Sequence, residues 1–354
     1  MAKALPILKL GELIVGEEAD AFALLYQKEE LKTKDGKPYF KVGFRDATRE
    51  FAFPIWNDSE HAERCRKEWQ VGAYYKLRCV LRETNFGPQL DLHKVRETNE
   101  TDPADGFDPD GFRPQSRFDP EELFGELCAA AEAHIENVPL RRLTLKLLID
   151  NKAALLTLPA ATRNHHAFSG GFLEHVASVV KNAVFFSERY AGYYTELTPP
   201  LDKGLIVAGA ILHDIGKLRE LEWQPEGPAY TPAGSLIGHV LQGRDMVREA
   251  ALELAHEAAA AQDAKSAETG DLEPLDAETL LRLEHIIVSH QRLPEWGAPK
   301  PPMTPEAMLV HYADDLDAKM NMVVAALLED KTPGHTTSKK NVLMQQFYRG
   351  NSGR

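Results

Sequence analysis

Two kinds of hydrophobic patterning divide the chain. From about residue 8 to 96 the apolar residues come in short runs, AFALLYQKEEL, PYFKVGFRD, REFAFPIW, AYYKLRCVLRET and GPQLDLHKV, and no long helical period appears. Turn chemistry such as Lys34-Asp35-Gly36-Lys37-Pro38 separates them, so the reading is a set of short antiparallel strands. One helix-like stretch, NDSEHAERCRKEW, interrupts them between residues 57 and 69. From 98 to 118 the chain turns to Asp, Pro and Gly, as in TDPADGFDPDGF, and reads as a linker or extended strap too polar to build a core. Asp119-Pro120 then offers an N-cap followed by a first-turn proline, and helical periodicity persists from 119 to about 330. The stretch HEAAAAQDAKSAETGDLEPLDAE, 256 to 278, reads as a helix end plus a solvated insertion, and 331–354 as a C-terminal tail.

About five strands in fewer than a hundred residues predict a small barrel, and one helix between strands three and four suits an OB-fold. A small barrel that merely packs would show the same pattern. The expected architecture is therefore an N-terminal OB-fold β-barrel over 1–97, a linker over 98–118 and an all-α domain over 119–330. A chain of 354 residues is long enough for two such domains.

Charge adjusts this picture only slightly. A formal net charge of -13 argues against nucleic acid, whose nonspecific binding rests on Lys and Arg. The acidity, however, lies in the linker and later helices, while the first hundred residues are nearly balanced and carry basic clusters such as KTKDGK and RCRK. A local basic groove stays compatible with the sum. Cys65, Cys79 and Cys128 are widely spaced and odd in number, which indicates neither a disulfide framework nor a thiolate zinc site. The start MAKALPILKL lacks a signal-peptide core, and no run reaches the ~18 apolar residues of a membrane helix. The expectation is a soluble, cytoplasmic protein without a membrane partner.

The chemistry gathers around ILHDIGK, residues 211 to 217. A histidine and an aspartate in an apolar run are costly to bury unless something binds them. On a helix, neighbours point about 100° apart, so His213 and Asp214 reach one ion only if it sits between them. An HD dipeptide alone is weak, but it has company. His175 in GGFLEHVASVVKNAV, His239 in LIGHVLQG, His290 in LEHIIVSHQ and Asp314 in LVHYADDLDAKM are further ligand types set in mostly apolar helical text. Imidazoles with carboxylates favour manganese, iron, cobalt, nickel or zinc over magnesium. A carboxylate can bridge two ions, and Asp214 is best placed to do so, in the manner of two-metal phosphoester hydrolysis. Lys217, on the same helical face, could hold the scissile phosphate.

His175, His213-Asp214 and Asp314 together resemble the HD-domain metal-dependent phosphohydrolases. The order of a small N-terminal barrel, HHAFSGGFLEHV, ILHDIGK, GSLIGHV, HIIVSHQRLPEWGAPKPP and HYADDLDAKMNM is similar, more narrowly, to the YhaM-type 3'-to-5' exoribonucleases, from about residue 10 to 330. That resemblance implies a first metal site of His175, His213, Asp214 and Asp314, with Asp214 shared and His239 and His290 completing a second. It implies two divalent ions, manganese foremost, and places His165 and His166 beside the active site, where they could meet a substrate phosphate. His285 and His311 fall in matching segments at spacings that suit packing or support of the ligands. The chain departs from the pattern in two places: Gln291 follows His290 where relatives often carry a second histidine, and the barrel turn reads Asp46-Ala47-Thr48-Arg49 where Asp-x-Thr-Gly is common.

An OB-fold binds single strands with aromatic platforms and a basic rim. Candidates for that role are Lys37, Tyr39, Lys41, Phe44 and Trp56, of which alternation lets only some face outward. Arg292, Trp296 and Lys300 in QRLPEWGAPKPP could add phosphate and base contacts. The expected partner is single-stranded RNA or DNA, and a homo-oligomer is compatible with the sequence. Two other functions fit the same residues: a phosphohydrolase of small or cyclic nucleotides with a regulatory barrel, and a nonhydrolytic RNA-binding module.

Overall fold

The alternating runs of the first hundred residues fold into five antiparallel strands, β1 (Glu18–Lys32), β2 (Pro38–Arg45), β3 (Glu50–Trp56), β4 (Tyr74–Thr84) and β5 (Gly87–Glu97). The computed structural model describes residues 5–33, 35–84, 87–112, 115–162, 166–224, 227–263 and 273–350. Strand order is β3-β2-β1-β4-β5, all neighbours antiparallel, and β3 also approaches β5 so that the sheet curls toward closure. A short helix α1 (Ala62–Lys67) joins β3 to β4. Five strands in this order with a helix at that connection are the topology of an OB-fold.

The pleat decides which aromatics pack inside. In β2 and β3 the pairs Phe40 with Ile55, Val42 with Phe53 and Phe44 with Phe51 point into the barrel, whereas Tyr39 with Trp56 and Lys41 with Pro54 lie on the other face. Phe44 was expected on the binding face. It is instead fully buried, with its ring edge-on to Trp69 and Tyr75. One residue of offset along a strand moves a side chain to the opposite face, so Phe44 is a core residue.

The stretch expected to be a linker is packed up to Phe112. Arg96 donates two hydrogen bonds, at 2.6 and 2.7 Å, to the carboxylate of the fully buried Asp102. Phe107 and Phe112 close over Phe22, Leu24 and Tyr74. Two phenylalanines were enough to dock a segment whose composition is otherwise that of a loop. Accordingly the chain divides into two compact units, Met1–Pro114 with Gln224–Gly227, and Gln115–Trp223 with Pro228–Arg354.

The second unit is a helical array: α2 (Pro120–His134), α3 (Val138–Asp150), α4 (Lys152–Leu155), α5 (Gly171–Tyr193), α6 (Lys203–Leu212), α7 (Lys217–Glu220), α8 (Pro232–Ile237), α9 (His239–Asp263), α10 (Ala277–Ser289) and α11 (Pro305–Glu329). Their starts follow side-chain chemistry. Asp119, Asp202, Asp276 and Thr304 each accept a backbone N–H of the first turn, as N-caps do. Helix α6 is apolar on every side and buried from Leu205 to Leu212. That marks the central helix of the bundle, and α2, α3, α5, α10 and α11 pack around it.

Two features differ from an all-α domain with a free tail. A hairpin of β6 (Leu221–Gln224) and β7 (Gly227–Tyr230) follows α7. Past α11 the chain doubles back, and Arg349 donates to the Asp330 carboxylate and carbonyl at 2.6 and 2.7 Å. Of the inserted stretch 256–278, residues 264–272 lie outside the described residues. Among the described residues no helix is long and apolar enough to cross a membrane.

Candidate metal centre

The His213-Asp214 pair stands in the turn that ends α6, rather than in mid-helix. His213 is the C-cap, and the Lys217 N–H donates to the Asp214 carbonyl at 2.9 Å to start α7. Gly216 in this turn is what lets α9 come close. A Cβ there would lie 2.0 Å from the His239 carbonyl oxygen and 2.4 Å from the Gly243 nitrogen, so any other residue would push away the helix that carries His239.

Four imidazoles converge on Asp214, and each has its Nδ1 held. His213 and His290 both cap the C-terminus of a helix, and their Nδ1 atoms lie 2.8 Å from the Ala210 carbonyl and 2.7 Å from the Ile287 carbonyl. These are last-turn carbonyls that a helix leaves without an N–H partner. His175 and His239 are held by carboxylates, Asp317 at 2.7 Å and Glu220 at 2.9 Å. An Nδ1–H donated to an oxygen fixes the tautomer and leaves Nε2 with its lone pair, which is how metal-binding histidines are prepared.

The Asp214 carboxylate lies between two pairs of these Nε2 atoms. Its Oδ2 is 3.7 Å from His175 and 3.5 Å from His213, and its Oδ1 is 3.3 Å from His239 and 3.4 Å from His290. Asp314 joins the first pair, with Oδ1 at 3.2 Å from His175 and 3.8 Å from His213. Yet His213 Nε2, His239 Nε2 and Asp214 Oδ1 are buried without a hydrogen-bond partner. Buried polar atoms left in this state are costly. Lone pairs converging from His, His and Asp at a few ångströms are what a divalent cation of the manganese-to-zinc group binds, so the residues present fit a metal centre. Ligand atoms cluster as His175, His213 and Asp214, and as Asp214, His239 and His290.

Electrostatics agree with that role. Burial holds His213 down to about 4, so it stays neutral. Burial also opposes charge on His175, but Asp314 and Asp317 outweigh it and carry its pKa up to about 9. Without a metal, Asp314 beside Nε2 and Asp317 beside Nδ1 therefore favour the protonated imidazole at His175. Asp214 is held well below the usual carboxylate range: burial works against its charge, and Lys217 and the histidines overcome it. Lys217 is buried and its Nζ lies 2.5 Å from Asp214 Oδ2. Its ammonium is thus paired with the shared carboxylate, where an open phosphate site was expected.

The six residues expected as ligands are brought together. His166 joins them at the edge, buried, with a positive φ of 48°, its ring 5.5 Å from His175. His165 lies outside the described residues. His311 Nδ1 is 2.7 Å from the His290 carbonyl, and His285 Nε2 accepts the Met303 N–H at 2.8 Å, so both support the backbone. Arg292, Trp296 and Lys300 lie exposed on the segment after α10, where Lys319 sits over the Trp296 ring at 5.8 Å. On the barrel, Lys37, Lys41 and Trp56 are exposed and Tyr39 is half-buried, its ring 5.2 Å from that of Trp56.

Sequence reasoning missed the groups behind the ligands. Asp317 grips His175 and also receives the Ser178 hydroxyl. It stands three residues after Asp314, on the same helical face, which was the available signal. Glu220 stands likewise three residues after Lys217. On the barrel the missed residue is Tyr26. A Cβ on Gly43 would lie 2.6 Å from its ring, so Tyr26 lies over β2 at Gly43, with the Arg45 guanidinium 5.7 Å from its ring centre, and a mid-strand glycine can signal such an approach.

Comparison with known proteins agrees with the helical unit. Residues 172–319, less than half of the chain, match the family model described as HD domain. All six expected ligands, Lys217, Glu220 and Asp317 fall inside the match. Over this stretch the protein carries a metal-dependent phosphohydrolase domain. Two solved structures resemble the barrel. The second OB-fold domain of replication protein A from Methanococcus maripaludis, solved by NMR, is 18% identical over 27% of this chain and 96% of that one, with a TM-score of 0.21. A crystal structure of a domain of replication protein A from the same organism is 15% identical over 27% and 98%, with the same TM-score. The barrel assignment rests on strand order, to which scores of this size add nothing.

Proposed function

We propose that the protein is a metal-dependent 3'-to-5' exonuclease of single-stranded RNA, acting also on single-stranded DNA, in the manner of the YhaM-type enzymes. One observation carries the hydrolytic part: the two oxygens of Asp214 face two separate imidazole pairs, the arrangement that suits a carboxylate bridging two cations. His175, His213 and Asp314 would hold one ion, and His239 and His290 the other. Divalent ions so held would supply the Lewis acidity that activates a water and the positive charge that neutralises the oxygens of a phosphodiester.

The chain's own residues do the rest. Lys217 fixes the Asp214 carboxylate and keeps it ionised. Asp317 and Glu220, with the Ala210 and Ile287 carbonyls, aim the four imidazoles. Water adds to phosphorus, the bond to O3' of the penultimate nucleotide breaks, and a nucleoside 5'-monophosphate leaves. The barrel's outer face, with Tyr26, Tyr39 and Trp56 among Lys37, Lys41 and Arg45, supports single-strand binding by stacking and charge. Direction of attack rests on the family resemblance.

The test is a 5'-labelled single-stranded oligoribonucleotide with manganese. The expected product is a ladder that shortens from the 3' end and is absent with Asp214→Asn. Hydrolysis of free nucleotides beside an intact oligomer would replace this reading with a small-nucleotide phosphohydrolase. Strand binding with neither bound metal nor cleavage would replace it with a nonhydrolytic module.

A further inference from the structure

Beside the metal centre, within the helical unit, lies a cleft of about 750 Å³. Its inner end is His166, Ser178 and Asp317, and Asp317 is the residue that grips ligand His175. The walls are of a different character from that end. They include Phe118, 47% exposed, with the Arg117 guanidinium 4.8 Å from its ring centre, and the half-buried Phe168, which packs on the His166 ring with centroids 5.7 Å apart. From α11, Met320 and Val324, 52% and 46% exposed, also line the cleft. Asn321, on the same helix, points its amide toward His166 Nε2 at 3.3 Å.

Apolar side chains on an outer helical face normally look to a core. Here they line, with two phenylalanines, an open cleft that His166 and Asp317 join to the candidate metal centre. Exposed aromatic and apolar side chains with an amide among them suit a planar heterocycle, because every nucleobase has a π-face to stack and a polar edge to bond. A cleft of this volume is within the range of small-molecule sites and holds one or two nucleotides.

We propose that this cleft is the subsite for the terminal nucleoside of the substrate, with the base between Phe118 and Met320 and Asn321 at its polar edge. The assignment rests on the phosphodiesterase reading above and adds what that reading lacks, a place for the base next to the scissile bond. Stacking tolerates any base, so the four nucleotides are accepted alike and a 3'-terminal abasic site is not.

The experiment compares two substrates: an oligoribonucleotide, and the same oligomer ending in a 3'-terminal abasic nucleotide, which has no ring to stack. In Phe118→Ala and Met320→Ala the ratio of kcat/KM for the intact oligonucleotide over the abasic-ended one is expected to fall about tenfold, the usual size of one lost stacking contact. Leu252→Ala, on the outer surface of α9 and 60% exposed, is the control and leaves the ratio at its wild-type value. An unchanged ratio in both cleft variants, with metal content and circular dichroism intact, overturns the subsite. If wild-type protein cleaves neither substrate, the phosphodiesterase reading fails on its own. The cleft is then judged by titrating a nucleoside 5'-monophosphate: about tenfold weaker binding to Phe118→Ala upholds it, and equal binding rejects it.

Discussion

The two halves of the metal centre share Asp214 but are built unequally. Around His175 and His213 there is a second carboxylate, Asp314, and the supporting Asp317 is itself fixed by Ser178. Around His239 and His290 the shared Asp214 is the carboxylate among the described ligand atoms, and the Gln291 amide lies 3.1 Å from His290 Nε2. His239 is also the more open of the ligands, its side chain 14% exposed where that of His175 is fully buried. Cation affinity grows with ligand charge and with exclusion of water. Under the proposed two-cation reading, the difference predicts a tight site at His175 and an exchangeable one at His239.

The comparison breaks most completely at the shared residue. Asp214→Asn keeps the shape but removes the bridging charge, and activity is expected to fall by at least on the order of a thousandfold, as several kcal/mol of charge stabilisation are lost. It also leaves Lys217 buried beside a neutral amide, so circular dichroism and melting must accompany the assay.

The supporting carboxylates separate the halves. Asp317→Asn should weaken the first ion and Glu220→Gln the second, each by about 10- to 100-fold, since groups that orient metal-binding histidines carry effects of that size. Metal titration by calorimetry would show loss of the tight phase in one variant and of the weak phase in the other.

Proton linkage sharpens the contrast further. In the metal-free protein His175 is raised from 6.5 to about 9, and His290 is raised as well. A histidine with a raised folded-state pKa stabilises the fold below its unfolded value and loses that contribution as pH climbs through the folded one. Metal-free protein should therefore melt progressively lower between about pH 6.5 and 9, and metal uptake in that window should release protons. A flat melting temperature across the window would contradict a protonated His175.

The smallest effect is expected on the barrel. Trp56→Ala should weaken single-strand binding by about 1 to 3 kcal/mol and leave metal content unchanged, as read by fluorescence anisotropy and elemental analysis.

Much of this was legible in the sequence because its signals are local. Strand alternation, the Asp119-Pro120 helix start and the six candidate ligand positions each declare themselves within a few residues. What stayed hidden depends on three-dimensional register. Phe44 could not be placed inside without knowing the pleat's phase, and the two phenylalanines that dock 98–112 are masked by their acidic, proline-rich surroundings. Asp317 and Glu220 matter only through the histidines they hold, which lie 142 and 19 residues away in sequence.

The central claim is a pair of cation sites joined by Asp214 and unequal in strength. Metal stoichiometry of purified protein reconstituted with manganese tests it most directly. Wild type should hold two ions per chain and His239→Ala one, with the remaining ion bound as tightly as before. One ion per chain in both proteins would contradict the account.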